Sequence, residues 1–200
     1  MKKIGIILLV TLCLTGCTMV RISSNIDTMT DVILSKNNKL FNHVGKGYKY
    51  YVPRGVTYID TDEYNEKLYS SGNYYYLYVD VISYYYKKDF NYEQDDSAYF
   101  SKKIDNNNKK GYLEINKLDN GKYYIEFMYN YAKIECQVEK DEIEDAVLNA
   151  SYILSTIKFN RKVIKIMLQE DYFINREEAY DIFESKKVNN NFLEVEDENK

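Results

Sequence analysis

The chain holds few of the side chains that usually carry out chemistry in proteins. Its 200 residues include one histidine, His43, and three cysteines. A Ser-His-Asp or Cys-His triad would have to be built around His43, which lies in a polar connector just before Gly45 and Gly47. We expect His43 to be a solvated loop residue. No catalytic residue is predicted.

The clearest motif lies at the N-terminus. Lys2 and Lys3 precede an apolar run from Ile4 to Leu14, and small residues then lead to Cys17, which is the layout of a secretory signal. The apolar run is shorter than the roughly 20 residues that a membrane-spanning helix needs. Leu14-Thr15-Gly16-Cys17 resembles the lipobox of bacterial lipoproteins, in which the cysteine receives a diacylglycerol thioether before cleavage.

This resemblance implies a location and an anchor. Residues 1–16 would be a signal peptide that is removed, and residues 17–24 would be a tether that begins at a lipidated Cys17. Acyl chains such as palmitate hold a protein on a membrane because each buried CH₂ contributes about 0.8 kcal/mol. We therefore predict a lipoprotein anchored to the cell membrane on its extracytoplasmic face. The alternative is an ordinary cleaved signal in which Cys17 is incidental.

Charge and cysteine content limit the possible partners. Without Lys2 and Lys3, 25 of the 27 basic residues remain beside 31 acidic ones, so the mature chain has a net charge of −6. Nucleic acid and anionic lipid headgroups are poor electrostatic partners for such a chain. Acylation would consume Cys17, which leaves Cys136 without a disulfide partner. We expect Cys136 to be a free, buried thiol.

Cofactor sites are not expected. Zinc needs three or four His or Cys ligands, and the mature chain offers only His43 and Cys136. Oxygen ligands for calcium cluster at Asp60-Thr61-Asp62-Glu63 and at Asp105-Asn106-Asn107-Asn108, but neither has the spacing of an EF-hand. We expect both to be solvated loops. The eight glycines form no phosphate-binding pattern.

The side chains named so far must be positioned by strands, which alternation of apolar and polar residues predicts. A change of apolar phase predicts a turn or bulge near Asn130 and a further strand beyond it. Asn120-Gly121 is expected to form a type I′ turn. A tight turn at 53–55 would join the first two strands. Residues 64–73 would form a loop or a helical turn, and residues 98–104 would form a short helix. The predicted strands span 48–52, 56–59, 74–86, 112–118 and 123–129, with a short closing strand at 156–159.

Apolar residues at helical spacing predict four helices. They cover 26–37, 141–155, 161–168 and a segment from a cap at Asn175 to Phe183. The helix at 141–155 carries a continuous apolar stripe, and Asp141 with Glu144 gives an aspartate version of the capping box. We expect this helix to pack on the sheet.

The order of elements predicts an α+β fold: an antiparallel sheet with the long helix packed on it, an N-terminal helix and a C-terminal helical tail. The domain would span 25–160, with helices of 161–187 packed on it and a disordered acidic tail at 188–200. Tyr50-Tyr51-Val52-Pro53 and the segment Ile153–Phe159 resemble the PsbP and Mog1 families over about residues 46–160. That resemblance implies a fold used mostly for binding and assembly, and it carries over no catalytic residues.

The distinctive predicted surface is aromatic. On the strand predicted at 74–86, Tyr75, Leu77, Val79 and Val81 would face the core, and the opposite face would carry Tyr74, Tyr76, Tyr78 and Tyr84. A row of tyrosines could stack on sugar rings or anchor a protein partner. Alternatively, helices of residues 161–187 cover this face and make it a second core.

These patterns favour a non-enzymatic binding or assembly module of the cell envelope, whose partners are the membrane and a protein or a wall glycan. The alternative is an envelope hydrolase that works through carboxylates without a metal. A solute receptor for a transporter is disfavoured, because its usual two lobes need a longer chain.

Overall fold

The computed structural model describes residues 26–62, 65–106 and 108–169. Within them the chain forms four α-helices and ten strands. The helices are α1 (Ile26–Ser35), α2 (Val81–Tyr86), α3 (Ile143–Thr156) and α4 (Arg161–Gln169), with a 3₁₀ turn at Lys140–Glu142. The strands are β1 (His43–Val44), β2 (Tyr48–Tyr50), β3 (Thr57–Asp62), β4 (Asn65–Ser70), β5 (Asn73–Val79), β6 (Phe100–Asn106), β7 (Lys109–Lys117), β8 (Tyr123–Tyr129), β9 (Ala132–Val138) and β10 (Lys158–Phe159).

Seven strands form one large antiparallel sheet in the order β3-β4-β5-β9-β8-β7-β6. The long helix α3 packs on strands β8 and β9, and the N-terminal helix α1 packs on α3. The predicted α+β fold, with a helix on an antiparallel sheet, is confirmed. None of the helices in the described part of the chain is long and apolar enough to cross a membrane.

The core lies between the large sheet and helix α3. Alternate residues of β5 and β7–β9 face it, because successive side chains of a strand point to opposite sides. The predicted apolar stripe of α3 is buried against them, as expected. The fully buried side chains of this core include Leu68, Leu77, Leu113, Ile115, Ile125, Phe127, Ile134, Cys136, Val147 and Ile153.

A second, smaller sheet joins the two ends of the domain. Strand β2 lies between β1 and β10, antiparallel to both. The predicted strands at 48–52 and 56–59 exist as β2 and β3, but they do not pair with each other. After the turn at Pro53-Arg54-Gly55, β3 instead joins the large sheet beside β4.

Three turns set the register of the large sheet. Asn130 and Tyr131 both have positive φ and join β8 to β9, which confirms the predicted break near Asn130. Ser71 and Gly72, also with positive φ, join β4 to β5. The β7–β8 hairpin is present, but the predicted type I′ turn at its tip is wrong, because only Gly121 there has positive φ.

Two predicted elements change type. The predicted strand 74–86 ends at Val79, because Asp80 caps helix α2 by accepting a hydrogen bond from the Ser83 amide at 2.7 Å. The short helix predicted at 98–104 is instead strand β6, which pairs with β7 along its whole length.

The helix termini refine the remaining predictions. The capping box predicted at Asp141 and Glu144 is instead formed by Glu139 and Glu142 at the preceding 3₁₀ turn. Helix α4 packs against α2, so the described part of the predicted C-terminal helices lies beside that helix. The predicted signal peptide, tether, helix from Asn175 and acidic tail lie outside the described residues.

Candidate functional site

An exposed aromatic strip lies on the face of the large sheet opposite the core. Tyr69 on β4 and Tyr74 on β5 are register partners, with ring centroids 5.2 Å apart. Their side chains are 37% and 47% exposed. Lys67 lies beside them, with its Nζ 4.6 Å from the Tyr74 ring centroid and 5.7 Å from that of the half-buried Tyr76. We call Lys67, Tyr69, Tyr74 and Tyr76 the aromatic strip.

The structure separates the four tyrosines that the sequence placed together. Tyr74 and Tyr76 belong to the aromatic strip, whereas Tyr78 is buried. The prediction is wrong for Tyr84, which lies on α2 and stacks on Phe159 with ring centroids 3.9 Å apart. Helix formation after Asp80 removes Tyr84 from the strand.

Sequence reasoning missed Tyr69, because residues 64–73 were interpreted as a loop or a helical turn. Ser71-Gly72 was the available signal, since two turn residues between short alternating segments are typical of a hairpin. In the structure both have positive φ, and the hairpin places Tyr69 directly opposite Tyr74.

A row of buried glutamates continues from the strip into the middle of the same face. Glu135 on β9 is the register partner of Tyr76, Glu126 on β8 is the partner of Glu135, and Glu114 on β7 is the partner of Glu126. Their exposed fractions are 0%, 1% and 4%. We call Glu114, Glu126 and Glu135 the glutamate row. A buried carboxylate needs charged or hydrogen-bonding partners to offset its lost hydration.

Lys133 and Tyr92 supply two such partners. The Lys133 Nζ lies 2.7 Å from an oxygen of Glu135 and 3.4 Å from one of Glu126, and its side chain is 3% exposed. At the other end of the row, Glu114 accepts a hydrogen bond from the Tyr92 hydroxyl at 2.5 Å. The row is therefore organised internally by a shared cation and a phenol.

Two further tyrosines face the glutamate row. Burial, together with the charges of Glu126 and Glu135, raises the pKa of both Tyr112 and Tyr124 far above the usual tyrosine value. Both hydroxyls therefore stay protonated. The ring of Tyr112 stacks on that of Tyr92 with centroids 4.4 Å apart, which builds a small second core at this end of the face.

The chemistry of the glutamate row is limited by access. Paired carboxylates are the usual machinery of sugar hydrolysis, and here carboxylates lie on adjacent strands. In this conformation, however, solvent does not reach Glu126 or Glu135. Among the described residues, no three His, Cys, Asp or Glu side chains are placed to hold a metal ion.

A separate polar cluster surrounds Glu66 on the core side of the sheet. Glu66 is 1% exposed and accepts hydrogen bonds from the Tyr48 and Tyr50 hydroxyls. The pKa of each tyrosine is raised, first by burial and then by the charge of Glu66. The Nε2 of His43 lies 3.3 Å from a Glu66 oxygen, and its ring lies 4.3 Å from that of Tyr58.

This arrangement corrects the prediction for His43, which is a strand residue packed against aromatic rings rather than a solvated loop residue. A histidine and a carboxylate are two parts of a catalytic triad. Within the described residues, His43 forms no hydrogen bond to a serine, threonine or cysteine. The observed contacts satisfy a buried carboxylate.

The structure also describes Cys136 and the segment that contains Asp60. Cys136 is a free, fully buried thiol, as expected, and burial raises its pKa well above the usual value. Asp60 and Thr61 lie on edge strand β3 rather than in a loop. Cys17 lies outside the described residues.

No protein-family model and no curated protein sequence matches the chain.

Proposed function

We propose that the chain is a membrane-anchored, non-enzymatic binding module of the cell envelope, and that the aromatic strip is its binding surface for a wall glycan. The observation that carries the proposal is the exposed pair Tyr69 and Tyr74, held side by side on the antiparallel β4–β5 hairpin. Tyrosine offers a large, stiff contact area with a hydrogen-bonding tip, which suits sugar rings. The Lys67 ammonium beside the rings can donate hydrogen bonds to sugar hydroxyls.

Soluble wall-glycan oligosaccharides, titrated against the full chain, test this surface. Changing both Tyr69→Ser and Tyr74→Ser is expected to weaken binding by about 1 to 2 kcal/mol, roughly 5- to 30-fold. The matched control is Tyr86→Ser, since Tyr86 is 67% exposed and lies on α2. Equal affinities for all three proteins, or no binding by the unaltered chain, would refute the strip as the glycan site.

The alternative function is a carboxylate-dependent hydrolase, which the glutamate row favours by placing Glu114, Glu126 and Glu135 on neighbouring strands. Our proposal predicts that the chain releases no new reducing ends from the same oligosaccharides. Release that is lost in Glu126→Gln, while glycan binding persists, would favour the hydrolase instead.

The anchor is tested separately. A bacterial host that is fed labelled palmitate is expected to label the unaltered chain and Cys13→Ser, but not Cys17→Ser, because only Cys17 follows the lipobox-like residues. Cys13→Ser is the matched control, since it removes a cysteine from the same N-terminal region. Label retained in Cys17→Ser would contradict lipidation at that residue.

A further inference from the structure

The outward face of the small sheet combines exposed apolar side chains with lysines. Val44 on β1, Lys49 on β2 and Lys158 on β10 are register partners and therefore share one face. Val44 is 69% exposed, and its neighbours Leu40 and Phe41 are 56% and 50% exposed. We call Lys39, Leu40, Phe41, Val44, Lys49 and Lys158 the basic apolar patch.

Two lysines of the patch are neighbours across the strand pair, because Lys49 on β2 is the register partner of Lys158 on β10. The Lys49 Nζ lies 3.6 Å from the centre of the Phe41 ring. The pKa of Lys158 is lowered, first by desolvation and then by the positive charges of Lys39 and Lys49. Neighbouring like charges disfavour each other's charged form, so an anion beside these lysines would be a favourable partner.

The lysines of the patch have no acidic partner in the described part of the chain. Elsewhere, Lys102, Lys110 and Lys133 each pair with a carboxylate at 2.7 Å or less. Within the part of the chain that the structure describes, Lys39, Lys49 and Lys158 form no ion pair. Although acidic residues outnumber basic ones by 31 to 27 in the whole chain, three lysines cluster on this surface.

We propose that the basic apolar patch is a second membrane contact, which rests against the headgroups of an anionic bilayer while Cys17 holds the chain by its lipid. The inference rests on the lipid anchor proposed above. Exposed apolar side chains surrounded by lysines are the usual surface of proteins that lie in a membrane interface.

The position of the patch along the chain is compatible with both contacts. Residues 17–25 separate Cys17 from helix α1 and can span at most about 30 Å when fully extended. Lys39 follows the end of α1 at Ser35 by only four residues. An anchored chain can therefore bring the patch to the bilayer surface.

The net negative charge predicts poor attraction to anionic lipid for the molecule as a whole. The local cluster of lysines changes this expectation for one orientation. In that orientation the patch faces the bilayer. Screening over about 8 Å at physiological salt weakens repulsion from the more distant acidic groups. In this proposal the lipid anchor holds the chain on the bilayer, and the patch sets the orientation of the folded domain relative to it.

The test uses the absence of tryptophan from the chain. Phe41→Trp places one fluorophore in the patch, and Tyr99→Trp, at an equally exposed position (51%) beside edge strand β6, is the matched control. The chain from Cys17 to Lys200 is coupled through Cys17 to a maleimide lipid. Coupling is selective because Cys136 is fully buried. The vesicles contain brominated phosphatidylcholine and phosphatidylglycerol in equal parts, or brominated phosphatidylcholine alone.

In the anionic vesicles, we expect the fluorescence of Phe41→Trp to be quenched at least about twofold more than that of Tyr99→Trp. In the neutral vesicles, this difference between the two variants should be smaller. Changing Lys39, Lys49 and Lys158 together to Gln should abolish the difference, and changing all three to Arg should preserve it. Equal quenching of the two variants in anionic vesicles would overturn the proposal. A second outcome would also overturn the proposal: the fluorescence of Phe41→Trp changes with soluble poly(glycerol phosphate) but not with vesicles. That outcome would assign the patch to a soluble polyanion.

The chemical coupling separates this test from that of the anchor. Quenching of Phe41→Trp together with failure of palmitate labelling at Cys17 would reject the lipid anchor and leave the patch supported. Labelling at Cys17 without quenching would reject the patch and leave the anchor intact.

Discussion

At the scale of single residues, Lys133 is the side chain on which the buried glutamate row most depends. It lies between Glu126 and Glu135 with almost no exposure. Lys133→Met fills a similar volume but removes the charge, so a change in stability reports electrostatics rather than a cavity. Removing one member of a buried ion pair typically costs about 3 to 5 kcal/mol. We expect a loss of that size in the free energy of unfolding, measured by urea titration.

The double variant Lys133→Met with Glu135→Gln is the control for this loss. Lys133→Met leaves two desolvated carboxylates, Glu126 and Glu135, without their ammonium partner. Glu135→Gln removes the nearer of these charges, so the double variant should be more stable than Lys133→Met alone. A loss below about 1 kcal/mol in Lys133→Met would show that the ammonium contributes no more than a surface ion pair does.

The glutamate row was hidden from sequence reasoning for a physical reason. Alternation along β8 assigns Ile125 and Phe127 to the core and Glu126 to the other face, which is correct. Alternation cannot tell whether that other face meets solvent, because burial there depends on contacts between distant segments. Tyr92, for example, reaches Glu114 from a polar segment in which periodicity predicted no strand.

At the scale of elements, local patterns predicted the parts whose stability is local. The stripe of α3 and the break at Asn130 were correct, since each follows from periodicity or phase within a few residues. The segment 74–86 was assigned incorrectly after Val79. Its tyrosines and valines have high strand propensity, but the Asp80 side chain caps the residues that follow and so favours a helix there.

The pairing of strands does not follow from local patterns in the sequence. Strands β2 and β3 are neighbours in sequence yet belong to different sheets, and β10 reaches β2 from more than 100 residues away. Consecutive strands pair more often than not, so the sequence favoured a hairpin at 53–55. The aromatic strip was half predicted for the same reason, since Tyr69 enters it only through the β4–β5 pairing.

At the scale of the whole molecule, the two faces of the large sheet have different chemistry. One meets α3 in an apolar core, and the other changes from exposed tyrosines at β4 and β5 to buried carboxylates at β7 to β9. The basic apolar patch lies on a different sheet from the aromatic strip. A molecule that touches a membrane with one surface can therefore bind a ligand with another.

The large number of buried tyrosines makes the whole molecule sensitive to alkali. Burial raises the pKa of Tyr75 and of Tyr129 from 10 to about 12, and the shift is larger for Tyr48, Tyr50 and Tyr112. Below pH 10 these tyrosines are protonated in both the folded and the unfolded chain, so they do not make the free energy of unfolding depend on pH. Above pH 10 the unfolded chain loses protons that the folded chain keeps, so the stability falls as pH rises.

The free energy of unfolding is therefore expected to fall steeply between pH 10 and 12. Each buried tyrosine contributes about 1 kcal/mol of that loss by one pH unit above its unfolded pKa. Several together are comparable with the 5 to 15 kcal/mol that a typical domain has. The check is a series of urea titrations across this range, with tyrosinate absorbance followed in parallel.

Tyr129→Phe is the matched control, since burial alone shifts its pKa. It should leave stability near pH 7 almost unchanged and retain about 1 kcal/mol more than the unaltered chain at pH 11. Solvent-exposed tyrosines of a folded protein ionise at about pH 10, so part of the absorbance change is expected there. An absorbance change that is already complete at about pH 10 while the fold remains intact would contradict this account, because it would mean that the buried phenols titrate together with the exposed ones.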